Sequence, residues 1–175
     1  WCAFDYNTHS CFGSGDKICY HGVYDMFRNP KFAAFSYSSQ KDPKEGIVLE
    51  PITAASRGER DGGGTVPFYI LTNCDYVRVY KNGNHIDDFY PDTELFPYLN
   101  HPPIVVSHLM EKCMDFGMNS EDAEEFRQFL LEKVVSRQLL NMSAEDLVYI
   151  KGKADKYHLD MKALYGEAVK AAGGW

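Results

Sequence analysis

WCAFDYNTHSCFGSGDKICYHGVYDMFRNPKFAAFSY, residues 1–37, is the stretch on which the reading of this chain turns. Trp1, Ala3 and Phe4 make a short apolar strand that stops at Asp5. A strand ending on a polar residue at the mouth of a barrel or sheet is a common way to present chemistry. The loop from Asn7 to Lys17 is rich in Gly, Ser, Asn and Asp, residues that favour turns. Asn29-Pro30 then reads as the N-cap and first position of a helix, because proline's fixed φ suits the first turn. Phe32, Ala33, Ala34 and Phe35 give that helix an apolar face to about Gln40, and Ser38-Ser39 and Pro43 close it. The unit is strand, long irregular loop, helix. The chain opens directly on a large aromatic, whereas termini are usually frayed and polar, so a piece of a longer protein is expected.

Composition narrows the class. With 175 residues, 45% of them hydrophobic, the chain can bury one medium core or two small ones. A net charge of −7 disfavours nucleic acid and anionic membrane surfaces as partners. No apolar run approaches the ~20 residues of a membrane span. The five cysteines, an odd number without regular spacing, point to reduced thiols and favour a cytoplasmic setting. Cys2, His9, Cys11, Cys19 and His21 crowd the first loop, but no C-x-x-C pair supplies zinc spacing. No metal and no cofactor are expected.

The middle of the chain reads as β structure. KDPKEG, residues 41–46, is a linker, and strands are expected around 47–54, 67–72, 76–81 and 85–90. Val77 and Val79 face one way and Arg78 and Tyr80 the other, with Asn82-Gly83 as the hairpin turn. SRGERDGGGT, residues 56–65, is a flexible loop without the Lys-Ser/Thr of a phosphate cradle. Short strands with turn punctuation favour an antiparallel sandwich, and a complete one has about seven. Exposed edges of an incomplete one invite pairing, so a homo-oligomer of the fragment is expected.

After His101-Pro102-Pro103 the pattern turns helical. Val105 to Phe116 reads as a short helix, with a strand at Ile104–Val106 as the alternative. Asn119 or Ser120 caps a helix to about Leu140. Ser143-x-x-Asp146 is a capping box for a helix that Gly152 stops. A last helix from about Ala154 buries Tyr157, Met161, Leu164, Tyr165 and Ala168. Asp146, Asp155 and Asp160 read as solvated charges. The fold class is thus α+β, with boundaries near residues 42 and 103.

The order Trp1, Asp5, Thr8, Gly13-Ser14-Gly15-Asp16, His21-Gly22-Val23 and Arg28-Asn29-Pro30-Lys31 resembles the end of the catalytic barrel of β-galactosidases and β-glucuronidases of glycoside hydrolase family 2. TNCDYVRVYKNG, residues 72–83, resembles the immunoglobulin-like domain that follows that barrel. The helical part resembles an insertion that some β-galactosidases carry within it. The resemblance implies the terminal strand and helix of a TIM barrel over 1–42, a partial immunoglobulin-like sandwich over 43–103 and a helical insertion over 104–175. It implies that Trp1 lines the subsite of the sugar to be cleaved, that His21 sits near its hydroxymethyl group, and that Asp5 lies on the same rim. An indole face suits the C–H face of a galactose-like ring. Each residue also has a plainer reading: core packing for Trp1, a structural partner of the loop for Asp5, a cap of backbone groups for His21.

Retaining glycosidases use two carboxylates about 5 Å apart. In this family both are Glu residues on earlier barrel strands, so no catalytic residue is expected here and the fragment is expected to be inactive alone. The substrate expected of the parent is a terminal β-galactoside or related β-glycoside. A carbohydrate-binding module, with Tyr80 and Tyr90 as its exposed aromatics, and a protein-interaction module built on the 104–172 helices are the competing readings.

Overall fold

The computed structural model describes residues 2–7, 17–53, 66–111, 115–135 and 142–171. Trp1, most of the Asn7–Lys17 stretch and all of Ser56–Thr65 lie outside them. Among the described residues the chain is α+β, with small sheets and four α-helices. It divides into two units.

The first unit begins with four short strands: β1 (Cys2–Phe4), β2 (Tyr6–Asn7), β3 (Ile18–Cys19) and β4 (Gly22–Tyr24). β1 and β4 run parallel in the register Cys2↔Gly22 and Phe4↔Tyr24, and β2 and β3 pair antiparallel. Helix α1 (Phe32–Ser38) buries Ala34 and packs on β4. Its N-cap is Lys31, without a side-chain cap, and not Asn29. Asn29 is drawn away because its backbone N–H and Nδ2 both donate to Asp25, each at 2.8 Å. Pro30 bridges to Tyr24 as extended chain, which keeps it out of the helix.

The linker is a single 3-10 turn over Pro43–Glu45, capped by Asp42. β5 (Leu49–Ile52) pairs antiparallel with β6 (Phe68–Thr72). Asn73, 1% exposed, ties the linker to this sheet. Its Oδ1 accepts from the Val48 N–H, and its Nδ2 donates to the Gly46 carbonyl, both at 2.8 Å. Gln40 and His101 exchange a similar pair, at 2.8 and 3.1 Å.

The second unit contains the hairpin of β7 (Val77–Lys81) and β8 (Asn84–Phe89). Asn82 and Gly83 have φ of 53° and 86°, the double positive-φ turn that Asn-Gly favours. Val77 and Val79 are half-buried while Arg78 and Tyr80 are exposed, as the alternation requires. On the outer face Arg78 grips Asp88 through two hydrogen bonds of 2.7 and 2.8 Å. That guanidinium, and then His85, hold the Asp88 carboxyl well below the usual carboxylate range.

Of the two readings of this stretch the strand forms: β9 (Ile104–Val106) lies next to β6 in the first unit's sheet, and no helix starts at Val105. Ile104 and Val106 are fully buried β-branched residues, which pack better on a pleated surface than in a helix turn. Helix α2 (Ser120–Phe129) is capped by Asn119, whose Oδ1 accepts from the Asp122 N–H at 2.9 Å. It continues into a π-helical turn over Leu130–Val135.

Helix α3 (Ala144–Tyr157) begins with the Ser143–Asp146 capping box. Asp146 is therefore buried and bonded, not a solvated charge; Asp155 and Asp160 are exposed. Gly152 does not stop this helix. Ile150 and Ala154 lie one turn apart on one face, 1% and 2% exposed, and their burial outweighs the cost of a glycine between them. The helix ends at His158, in left-handed conformation with φ 54°. Helix α4 (Met161–Ala171) follows and buries Leu164.

The core of this unit gathers Met110, Met118, Ala123, Phe126, Leu130, Ile150, Ala154 and Leu164. Phe126, fully buried, meets Phe116 edge-on at 5.2 Å and stacks near Phe129 and Tyr149. Over this core Asp122 accepts hydrogen bonds from Lys153, Lys156 and Tyr157 of α3. Those donors hold its carboxyl well below the usual range.

Buried polar groups sit where the hairpin meets the helices. Arg127, 3% exposed, donates from Nη2 to Asp87 at 3.2 Å, while its Nε has no partner among the described residues. His108, 5% exposed, has Nε2 3.7 Å from the same carboxylate and its ring 5.2 Å from Phe89. Burial, and then Arg127, push its pKa down to about 4 against the opposing pull of Asp87.

Two outcomes follow from this packing. Phe126→Ala is expected to cost about 3–5 kcal/mol, read as a lower urea midpoint of the chain. The second outcome concerns acid. His108 is held neutral in the folded state, so the unfolded chain takes up its proton first. Its contribution is intact above the unfolded value of about 6.5 and is lost as pH falls toward about 4, by up to about 3 kcal/mol. Thermal melts of wild type and His108→Gln across that window check this: the variant's melting temperature should fall less steeply.

Candidate functional site

The end of β1 carries a dense polar cluster among the described residues of the first unit. Asp5 follows the strand and is 7% exposed. Its N–H donates to the Tyr24 carbonyl at 2.9 Å. Its Oδ1 accepts from two directions, the Gly22 N–H and the Lys31 ammonium, each at 2.8 Å. A buried carboxylate is costly unless paired and hydrogen-bonded, and here it is both. Lys31 is held at both ends, because its backbone N–H donates to the Val23 carbonyl at 3.1 Å and its Nζ also donates to the Tyr20 carbonyl at 3.2 Å.

Gly22 is what lets the strands close to this distance. A Cβ built there would stand 2.1 Å from the Asp5 nitrogen and 2.3 Å from the Phe4 carbonyl carbon. Contacts that short with backbone leave no room for any side chain. The chain then turns on Asp25, whose Oδ1 accepts from the Phe27 and Asn29 N–H groups, both at 2.8 Å. Its bond from the Asn29 side chain is the leading reason its carboxyl lies below the ordinary range. Arg28, with φ 72°, lays its guanidinium 3.4 Å from the centroid of the Phe4 ring. Tyr6, exposed, has its hydroxyl pKa pushed up, first by a hydrogen bond with the Cys19 thiol.

Of the three residues expected on a sugar rim, Asp5 is buried and bonded to Gly22 and Lys31, and His21 is exposed and adjoins Gly22 in sequence. Trp1 lies outside the described residues. Sequence alone assigns no role to Lys31 or Asp25. Lys31 did stand in the Arg28-Asn29-Pro30-Lys31 motif, which was the available signal, but nothing local ties it to a carboxylate at position 5. The arrangement joins a hydrogen-bonded carboxylate, an ammonium and the N–H of Gly22, the residue after the exposed His21. Its chemistry is that of holding two strand ends in place. No group of three or more His, Cys, Asp or Glu is placed for a metal ion among the described residues. No described helix is long and apolar enough to cross a membrane.

Comparison with known proteins covers most of the chain. The chain is 44% identical over 154 residues to a beta-galactosidase of Thermoanaerobacterium thermosulfurigenes, covering 86% of this chain. It is similar to beta-galactosidases. A second, from Rhizobium meliloti, is 39% identical over 148 residues, and a third, from Thermoanaerobacter pseudethanolicus, is 45% identical over 116. The chain spans only 22%, 19% and 15% of the lengths of these relatives. No protein-family model matches it.

Gly22→Ala tests the close approach at this site. The methyl group would force β4 away from β1 and break the Gly22–Asp5 bond. A loss on the order of 1–3 kcal/mol is expected. It would be seen as faster hydrogen exchange over residues 18–24 and a lower melting temperature.

Proposed function

We propose that this chain is a segment of a retaining glycoside hydrolase of family 2 that removes terminal β-galactosyl, or related β-glycosyl, groups. The observation that carries the reading is the 44% identity over 154 residues to a beta-galactosidase. Nearly the whole chain takes part in that match, so it does not rest on one motif. In this reading residues 1–42 are the last strand and helix of a TIM-barrel catalytic domain. Residues 43–103 belong to an immunoglobulin-like sandwich, and 104–175 are a helical insertion.

The two catalytic carboxylates of a retaining mechanism belong upstream, on earlier barrel strands. This segment contributes the rim of the sugar subsite. Trp1 offers an apolar platform to the ring, and His21 offers a polar group toward its hydroxymethyl. Asp5 holds the rim together from below; its Oδ1 is occupied by Gly22 and Lys31, which supports a rim role and argues against acid–base work. The segment alone does not turn over substrate.

The test is hydrolysis of chromogenic β-galactoside and β-glucuronide by the 175-residue chain and by a version extended upstream through a whole barrel. Only the long version should be active, with β-galactoside preferred. Trp1→Ala in that version should lower kcat/KM about thirtyfold, from the lost apolar contact with the ring. Activity of the short chain would place the catalytic groups within it and overturn the division of labour. Inactivity of both would remove the glycosidase reading.

A further inference from the structure

Lys31 occupies a position that local rules disfavour. It is the N-cap of α1, where Ser, Thr, Asp and Asn are preferred, and it makes no side-chain cap. It also sets a positive charge at the positive end of the helix dipole. A residue that breaks two local rules is compensated elsewhere. The compensation here is the buried carboxylate of Asp5, 2.8 Å from Nζ, with side chains 2% and 21% exposed for Asp5 and Lys31.

The pair reaches further than its own bond. The Asp5 oxygen that accepts from Lys31 also accepts from the Gly22 N–H. Gly22 is the register partner of Cys2 in the parallel β1–β4 ladder. Trp1 directly precedes Cys2 in the chain, and His21 directly precedes Gly22. The two residues that the proposed function assigns to the sugar are thus each one peptide bond from the strand pair that Asp5 clamps. His21 directly precedes the residue whose N–H Asp5 holds, so its placement beside the end of β1 depends on that bond.

We propose that Lys31 is a positioning residue of the sugar rim, acting through Asp5: its ammonium fixes the carboxylate that holds Gly22, and with it His21, against the end of β1. The proposal rests on the reading above that this rim faces a sugar. Lys31 does not touch substrate in this scheme.

The experiment uses the full-length enzyme that contains this segment, with 4-nitrophenyl β-galactoside as substrate. It compares wild type, Lys31→Met and Lys31→Arg by steady-state kinetics and by hydrogen-exchange mass spectrometry over residues 18–24. Lys31→Met should speed exchange in that segment and raise KM about tenfold, while kcat changes by less than about threefold. Lys31→Arg, which keeps the charge, should recover most of both. A purely structural role would reduce the active fraction, lowering apparent kcat with KM unchanged, and that result overturns the proposal. Unchanged exchange in Lys31→Met overturns it as well. If Lys31→Met does not fold, the double variant Lys31→Gln, Asp5→Asn removes both charges and is read by the same criteria. Inactive wild type sinks the glycosidase reading itself; active wild type with an unmoved KM in the variants sinks only the role of Lys31.

Discussion

The buried carboxylate of Asp5 is the constraint around which the first unit is built. A charge taken out of water needs a counter-charge and hydrogen-bond donors, and these must come from somewhere in the chain. One donor is the Gly22 N–H, which can approach only because position 22 has no Cβ. The counter-charge is Lys31, delivered from the start of α1. Strand, strand and helix are therefore joined through a single oxygen atom. The Asp25 turn and the Arg28–Phe4 contact close the same segment from the outside.

The second unit solves a different problem. Its helices are short, and helices of this length gain most of their stability from packing. Phe126 supplies that packing at the centre, and Asp122 supplies a polar clasp from α2 to three donors of α3. The hairpin of β7 and β8 adds Asp87, which meets Arg127 and His108 from the helical side. Here charge is again placed where water is scarce, but the partners share it unevenly, leaving the Arg127 Nε without an acceptor among the described residues.

Local signals were legible wherever a residue acts on its nearest neighbours. The Asn82-Gly83 turn, the Asn119 cap and the Ser143–Asp146 box form as read, because each depends on backbone preferences within a few residues. The strands expected between residues 47 and 90 form as well, since alternation reports a half-buried face directly. Readings failed where a distant partner outbid a local one. Asn29 looks like a cap in isolation, yet Asp25 takes its donors. Gly152 looks like a stop, yet Ile150 and Ala154 are both buried and hold the helix across it. Between a helix from Val105 and a strand at Ile104–Val106, which residue order leaves open, the strand forms because a sheet edge is there to take it.

By itself the sequence determined the α+β class, the hairpin, the caps at Asn119 and Ser143 and the likeness to beta-galactosidases, all of which rest on residue order. Tertiary structure alone decided that Asp5 points inward to Lys31 and Gly22 and that His108 and Arg127 share one carboxylate. It also decided that β1 pairs with β4 in parallel across the intervening loop. Such pairings join residues far apart in the chain, and which of several possible partners a buried charge takes depends on which surfaces meet on folding. No pattern of neighbours encodes that choice.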